Sequence, residues 1–127
     1  EAIADICDLW DNGGEVEGQA HYWAHLHGKV ADQLEADTEL KNAVLIVSYE
    51  ELCAEPDAWI RRLFDHCDLS IDQSSIKKLA EKVKFPSYYQ PKFSNAERQT
   101  IDDITEPVVK RFALLGKNAS SSRVNDP

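Results

Sequence analysis

The stretch AVLIVSYEELCAEPDAWIRRLFDH, residues 43–66, decides the fold that we predict for this chain. It opens with five consecutive apolar residues, continues with Tyr49 and two glutamates, and changes at Pro56 to the apolar spacing of a helix. A continuous apolar run, in place of alternation, is typical of a strand that is buried on both faces in a parallel sheet. We therefore predict one buried core strand at about 43–48 in a chain that is otherwise mostly α-helical.

Apolar residues recur at helical spacing in most of the remaining chain. They predict helices at about 1–10, 17–34, 56–67, 74–83 and 94–115. The face of the second helix that should pack on the core carries Trp23, Leu26, Val30 and Leu34. Pro107 is expected to kink or split the last helix, because a proline lacks the N–H that the helix needs. The polar, Ser-rich residues 118–127 are predicted to be a disordered tail, which leaves 1–117 as the folded part.

The length and composition indicate one globular domain that belongs to a longer protein. A chain of 127 residues suits a single core, and no apolar stretch reaches the roughly 18 residues of a membrane span. The chain has no initial Met and no leader-like segment, so we expect it to begin inside a larger sequence. One strand cannot form a parallel sheet alone, so its neighbours are expected in the missing N-terminal half of the same domain.

Charge is distributed unevenly along the chain. Residues 1–57 contain fourteen acidic and two basic side chains, whereas residues 58–127 contain nine acidic and twelve basic ones. Nucleic acid is excluded as a partner of the first part, because such binding depends on neutralising phosphates with Lys and Arg. An anionic ligand would be bound by the second part, although such a run of charge is more often a solvated helix face. Its basic residues include Lys77, Lys78, Lys82, Lys84, Lys92 and Arg98.

The cysteines and histidines indicate neither a disulfide framework nor a metal site. Cys7, Cys53 and Cys67 are odd in number and lack CxxC spacing, which favours reduced thiols in a cytoplasmic protein. His21 and His25 lie one helical turn apart, but a histidine pair without a third ligand is more often a pair of solvated side chains on a helix surface than a zinc site. We therefore expect no metal.

Tyr49, Glu50 and Glu51 follow the predicted strand, at the edge where parallel sheets bind ligands. In a functional interpretation, the Tyr49 ring packs on a base or the carboxylates orient a ligand. In a structural interpretation, Tyr49 closes the end of the core, Glu50 caps the following turn and Glu51 is solvated. Position alone leaves both open, because strand ends are favoured for function but not reserved for it.

The segment Val47-Ser48-Tyr49-Glu50-Glu51-Leu52, followed by Glu55-Pro56 and a helix that ends in LFDHCDL (63–69), resembles the sulfotransferases. In that family a strand is followed by Tyr-Glu-Asp-Leu, an acidic-Pro pair and a helix that leads to Leu-Phe-x-Phe-Leu-Gly-Leu. The Trp23-centred helix and the ending Leu115-Gly116-Lys117 are similar to the family pattern too. The resemblance spans residues 20–116. It implies a P-loop-like α/β fold with a parallel sheet, of which this chain is the C-terminal portion.

The resemblance implies an activity as well: transfer of a sulfuryl group from 3'-phosphoadenosine 5'-phosphosulfate (PAPS) to a hydroxyl or amine of a small-molecule or glycan acceptor. In the family, the loop that cradles the 5'-phosphosulfate and the catalytic base come from the earlier half of the protein. The chain contains no Gly-rich or Pro-Lys-Ser-Gly-Thr-like loop before a helix. It is therefore expected to carry no catalytic residue and to be inactive by itself.

Only donor-binding residues are carried over by the resemblance. Tyr49 matches the family tyrosine that lies against the adenine of the donor, and Glu50 matches a position that we interpret as structural. The candidate for the late basic loop that covers the 3'-phosphate is 85–93, with Lys84, Ser87 and Lys92 as anion contacts. The chain lacks the Arg-Lys-Gly form of the cytosolic branch, so solvated lysines remain an alternative.

A second class of function remains open. The chain could be a stand-alone helical module that binds a protein partner through an apolar face and has no catalytic activity. A helical or independently paired 44–47 would favour the module, and an upstream phosphate-cradling loop would favour the enzyme. An uncovered apolar run is also expected to promote homo-oligomerisation.

Overall fold

The computed structural model of the chain describes residues 2–87 and 92–121. Within these ranges the chain forms seven helices and no strand. The helices are α1 (Ala2–Asp11), α2 (Glu15–Ala36), α3 (Thr38–Ala43), α4 (Tyr49–Ala54), α5 (Pro56–His66), α6 (Gln73–Ala80) and α7 (Asn95–Ser121). They belong to two compact units, Glu1–Val44 with Pro91–Pro127 (unit 1) and Leu45–Gln90 (unit 2).

The predicted core strand at 43–48, and with it the α/β fold class, is wrong for this chain. Ala43 is the last residue of α3, and residues 44–48 are a half-buried connection that pairs with no other segment of the described chain. Val44 and Ser48 do have extended torsion angles, at φ/ψ of −103°/130° and −76°/125°. The helices on either side each have an N-terminal cap of their own. Asp37 caps α3 by accepting a hydrogen bond from the Leu40 amide, and Ser48 caps α4 by accepting one from the Glu51 amide. An extended segment without a hydrogen-bonded neighbour is not a strand.

In unit 1, α2 packs against α7 and α1, and three of its four buried residues are small. Gly18, Ala20, Ala31 and Leu34 are buried. The predicted core face was wrong in part, since Trp23, Leu26 and Val30 are 36–47% exposed and only Leu34 of that set is buried. Close packing explains the use of small residues, because a Cβ on Gly18 would overlap the Trp10 indole of α1.

The helix α7 continues through Pro107, which was expected to kink or split it, and beyond 115, where it was predicted to end. Pro107 lies inside the helix, where its missing N–H leaves the Asp103 carbonyl without an intrahelical donor. Gly116 does not end it either, and the backbone is helical to Ser121. Residues 122–127, the remainder of the predicted tail, lie outside the described residues.

Arg111 on α7 holds two carboxylates of α2. Its Nε donates to Glu35 Oε1 at 2.9 Å, and its Nη2 donates to Glu35 Oε2 at 2.8 Å and to Asp32 Oδ1 at 2.6 Å. The hydrogen bonds from Arg111 lower the pKa of Glu35 below its ordinary value of 4.5. Two parallel N–H···O bonds fix the geometry of such a pair, so the cluster fixes the register of α7 on α2.

Glu35→Gln is expected to reduce the stability of unit 1 at neutral pH, because it removes the charge that Arg111 binds. Since folding lowers the pKa of Glu35, its contribution is fully present above 4.5, the unfolded value, and is lost as the pH falls through the lower folded value. Urea unfolding of the two chains should therefore differ at neutral pH and converge well below pH 4.5. Asp102→Asn, an exposed carboxylate of α7, is the control. A pH-independent difference for Glu35→Gln would contradict the ionic role.

Unit 2 packs α5 against α6 around a small apolar core. Ile60, Ile76 and Ala80 are buried, and Phe64, Ile71 and Val83 pack against them. Pro56 occupies the first turn of α5, where its missing N–H costs nothing. The core therefore extends to Val83, just beyond the end of α6.

The end of α5 explains a glycine in the family pattern. Asp68 has φ of 53°, the left-handed region, and the Leu69 amide donates back to the Phe64 carbonyl at 2.9 Å. The Asp68 amide donates to the Asp65 carbonyl at 3.2 Å, which completes a Schellman motif. A side chain in this conformation is strained, and the resembling pattern has Gly at the position of Asp68.

Asp68→Gly is accordingly expected to stabilise unit 2 by about 0.5–1 kcal/mol, since glycine adopts the left-handed conformation without the Cβ clash. The midpoint of urea unfolding would measure the gain. Asp65→Gly, three positions earlier in the last turn of α5, should instead reduce the stability of the unit by about 0.3 kcal/mol. Equal effects of the two glycines would show that the backbone conformation at Asp68 is not the cause.

Candidate functional site

Tyr49 begins α4, immediately after a serine that caps the helix. Ser48 Oγ accepts from the Glu51 amide at 3.3 Å and donates to Glu50 Oε2 at 3.1 Å. Glu50 thus takes part in the local turn, in keeping with its structural interpretation. The cap fixes the direction of the first turn, and the Tyr49 residue remains 51% exposed. An aromatic side chain with this exposure can offer a face to a ligand.

Lys84 lies just beyond the turn that ends α6. The Lys82 amide donates to the Leu79 carbonyl and the Val83 amide to the Ala80 carbonyl, both at 3.0 Å. Val83 packs on the core of unit 2, so the backbone is anchored up to the residue before Lys84. The Lys84 residue itself is exposed, and its ammonium forms no ion pair with a carboxylate of residues 2–87 or 92–121.

A hydrogen bond joins these two candidate residues. The Tyr49 hydroxyl donates to the Lys84 carbonyl at 3.2 Å across 35 positions of sequence. Two of the four residues that the sequence nominated for donor binding are therefore neighbours within one unit. The contact joins the Tyr49 side chain to the backbone of an exposed lysine.

The other two nominated residues are not brought to this point by the structure. Ser87 is exposed in a bend, three positions beyond Lys84, and forms no hydrogen bond with Tyr49 within the described chain. Lys92 belongs to unit 1. Residues 88–91 of the candidate loop 85–93 lie outside the described residues.

The sequence did not reveal what binds the Tyr49 hydroxyl. The acceptor is a backbone carbonyl, which every residue type has, and in sequence it is separated from Tyr49 by α5 and α6. The Arg111 cluster and the stacking of the Arg62 guanidinium on Trp59, at 4.6 Å from the ring centroid, were also missed. The i,i+3 spacing of Trp59 and Arg62 could have indicated that last contact.

A shallow groove in unit 2 is a different feature from the Tyr49–Lys84 pair. It is lined by Phe64, Ser70, Ile71, Asp72, Ser75, Lys78 and Leu79, and it has a volume of about 810 Å³. None of the four nominated residues lines it. Two of its lining residues, Phe64 and Ile71, pack on the core of the unit, which gives them a structural role. The candidate site is therefore assigned to Tyr49 and Lys84 and not to this groove.

The histidines of α2 were considered as metal ligands from the sequence. His21 Nε2 lies 3.9 Å from Glu17 Oε1, one helical turn away. No group of three or more His, Cys, Asp or Glu side chains in the described chain is placed to hold a metal ion. In the same residues, no helix combines the length and the apolar character that crossing a membrane requires.

The comparison with protein families identifies a known domain in this chain. The model of the sulfotransferase domain matches residues 15–115 of this chain. The matched range begins with α2 and includes Tyr49, Lys84, Ser87 and Lys92. Comparison with curated proteins and with solved structures gives no significant match.

Proposed function

This chain belongs to the sulfotransferase domain family, and we propose that it is the donor-binding C-terminal portion of a PAPS-dependent sulfotransferase. The observation that carries the proposal is the Tyr49–Lys84 pair, which lies inside the matched range and joins an exposed aromatic residue to the backbone of an exposed lysine. An adenine nucleotide with anionic groups requires this combination of stacking surface and positive charge.

In this proposal Tyr49 packs against the adenine. Its 51% exposure leaves ring surface for that contact, while its hydroxyl is held by the Lys84 carbonyl. Lys84, Ser87 and Lys92 would contact the 3'-phosphate through an ammonium or hydroxyl group. The exposure of all three side chains supports the assignment. The proposal thus assigns these residues to the nucleotide end of PAPS.

PAPS supplies an activated sulfuryl group whose acceptor is a hydroxyl or an amine. Catalysis of group transfer of this kind is mostly positioning together with neutralisation of anionic oxygens. The residues of this chain would hold and orient the nucleotide. We assign the cradle of the 5'-phosphosulfate and the catalytic base to the N-terminal half of the same domain, which is the partner that this portion requires.

We also propose a cytoplasmic location and a small-molecule or glycan acceptor. The location is supported by three free cysteines, two of them exposed, since exposed thiols persist in a reducing compartment. The acceptor class comes from the family alone. Self-association of the chain through the apolar run 44–47, which is half-buried, stays a prediction that sedimentation of the purified chain would test.

The proposal is tested by titration calorimetry of the complete protein with adenosine 3',5'-bisphosphate, the donor without its sulfuryl group. We expect saturable binding, weaker binding of adenosine 5'-monophosphate, and transfer of radiolabelled sulfate from PAPS to a member of a panel of hydroxyl and amine acceptors. No binding of the bisphosphate would overturn the proposal.

That outcome would leave the helical interaction module. The module is supported by the exposed apolar side of α2, where Tyr22, Trp23, Leu26 and Val30 lie. Residues 44–47, whose helical or paired state would have favoured the module, are neither helical nor paired with a described segment. Its own test is capture of a protein partner that is lost on Leu26→Glu, a change that should leave nucleotide binding unaffected.

A further inference from the structure

We propose that the Tyr49 hydroxyl is a positioning group, which holds the backbone at Lys84 so that contact with the base and contact with the 3'-phosphate are coupled. The inference rests on the proposed function, and it adds a role for the hydroxyl that is separate from the role of the ring. Its basis is the 3.2 Å hydrogen bond from Tyr49 to the Lys84 carbonyl.

The position of that hydrogen bond in the chain is what gives it this role. Up to Val83, the backbone is held by the turn that ends α6 and by the core of unit 2. After Lys84, Phe85 is 57% exposed, and Pro86 and Ser87 are exposed as well. The Tyr49 hydroxyl therefore anchors the backbone at the point where it leaves the core.

The anchor acts on the direction of the lysine side chain. Fixing the Lys84 carbonyl fixes the peptide plane next to its Cα relative to the Tyr49 side chain. The four side-chain bonds of Lys84 still rotate, so its ammonium samples the volume that it can reach from this fixed position. The start of the lysine side chain and the stacking residue are thereby preorganised, which reduces the backbone entropy lost on binding a ligand that contacts both.

This arrangement predicts a selective effect of removing one oxygen atom. Tyr49→Phe keeps the aromatic ring and deletes the hydroxyl. We expect the affinity for adenosine 3',5'-bisphosphate to fall about fivefold, the size of one ordinary hydrogen bond. The affinity for adenosine 5'-monophosphate, which has no 3'-phosphate, should change less than about twofold, because the ring that it contacts is unaltered.

The experiment is calorimetry of the complete protein with both nucleotides, for wild type, Tyr49→Phe, Lys84→Ala and the double variant. Tyr22→Phe removes the hydroxyl of a comparably exposed tyrosine, 42% exposed on α2, and serves as the matched control. The coupling predicts that Lys84→Ala costs less bisphosphate affinity in the Tyr49→Phe background than in wild type. It further predicts faster hydrogen exchange at the Val83 amide, which donates to the Ala80 carbonyl, in Tyr49→Phe without any nucleotide.

The outcomes separate the inference from the proposed function. If wild type does not bind the bisphosphate, the proposed function fails and the inference fails with it. If wild type binds and Tyr49→Phe loses affinity equally for both nucleotides, or for neither, the positioning role is overturned and the site stands. Additive effects of Tyr49→Phe and Lys84→Ala would also overturn it, whatever the exchange rate shows.

Discussion

In the complete protein, Tyr49→Ala is expected to weaken binding of adenosine 3',5'-bisphosphate by about 1–3 kcal/mol, the range for loss of a base–aromatic stacking contact. The residue is 51% exposed at the start of α4, and truncating it removes both the stacking surface and the tie to Lys84. Because stacking does not depend on the 3'-phosphate, adenosine 5'-monophosphate should lose affinity too. Titration calorimetry with both nucleotides measures the effect.

The control for Tyr49→Ala is Tyr22→Ala, which truncates a tyrosine of similar exposure in unit 1. This variant is expected to bind both nucleotides like wild type. Circular dichroism of each variant should show an unchanged helical content, so that a loss of affinity reports the site itself. Nucleotide affinities that remain at the wild-type value in Tyr49→Ala would remove Tyr49 from the site.

The largest effect on stability is expected at Ile76, which is fully buried between α5 and α6. Ile76→Ala removes three carbon atoms from the centre of unit 2, and it should cost about 2–5 kcal/mol in lost burial and in the cavity that remains. That amount is comparable with the whole stability of a small folded unit. Because unit 2 carries both Tyr49 and Lys84, nucleotide binding should fall with it.

Urea unfolding, followed by circular dichroism, measures the loss at Ile76. Leu79→Ala provides the matched control, since Leu79 lies on the same helix, loses the same number of atoms and is 38% exposed. It should cost about 1 kcal/mol or less. Ile76→Val, which deletes one methyl group, should cost about 0.5–1.5 kcal/mol. A loss for Leu79→Ala as large as for Ile76→Ala would show that unit 2 does not depend on this core.

Helix α5 was predictable from local information, whereas the unpaired extended segment 44–48 was not. Pro56 at the first turn of α5, and the apolar spacing from Trp59 to Phe64, act within a few residues, and the structure has this helix. The apolar run 43–47 carries the composition of a buried strand, but strand formation depends on a partner segment. Residues 44–47 instead connect two helices with their own caps, a feature that hydrophobicity does not encode.

Burial on α2 shows a second limit of pattern reading. Its large apolar residues at helical spacing predicted the packed face, yet Gly18, Ala20 and Ala31 are buried and Trp23 is 36% exposed. Side-chain size does not identify which face a neighbouring helix approaches most closely. Close packing favours small residues there, so the contact face became visible only once α1 and α7 were in place.

The sequence by itself determined the family, the five longer helices, and the nomination of Tyr49 and Lys84, because these depend on residue identity and on spacing along the chain. Only the tertiary structure decided that α3 and α4 form, that 44–48 is not a strand, that Gly18, Ala20 and Ala31 are buried on α2, and that the Tyr49 hydroxyl meets the Lys84 carbonyl. The physical reason is that pairing, close packing and backbone hydrogen bonds join residues far apart in sequence. A carbonyl oxygen, moreover, is the same acceptor whichever side chain its residue carries.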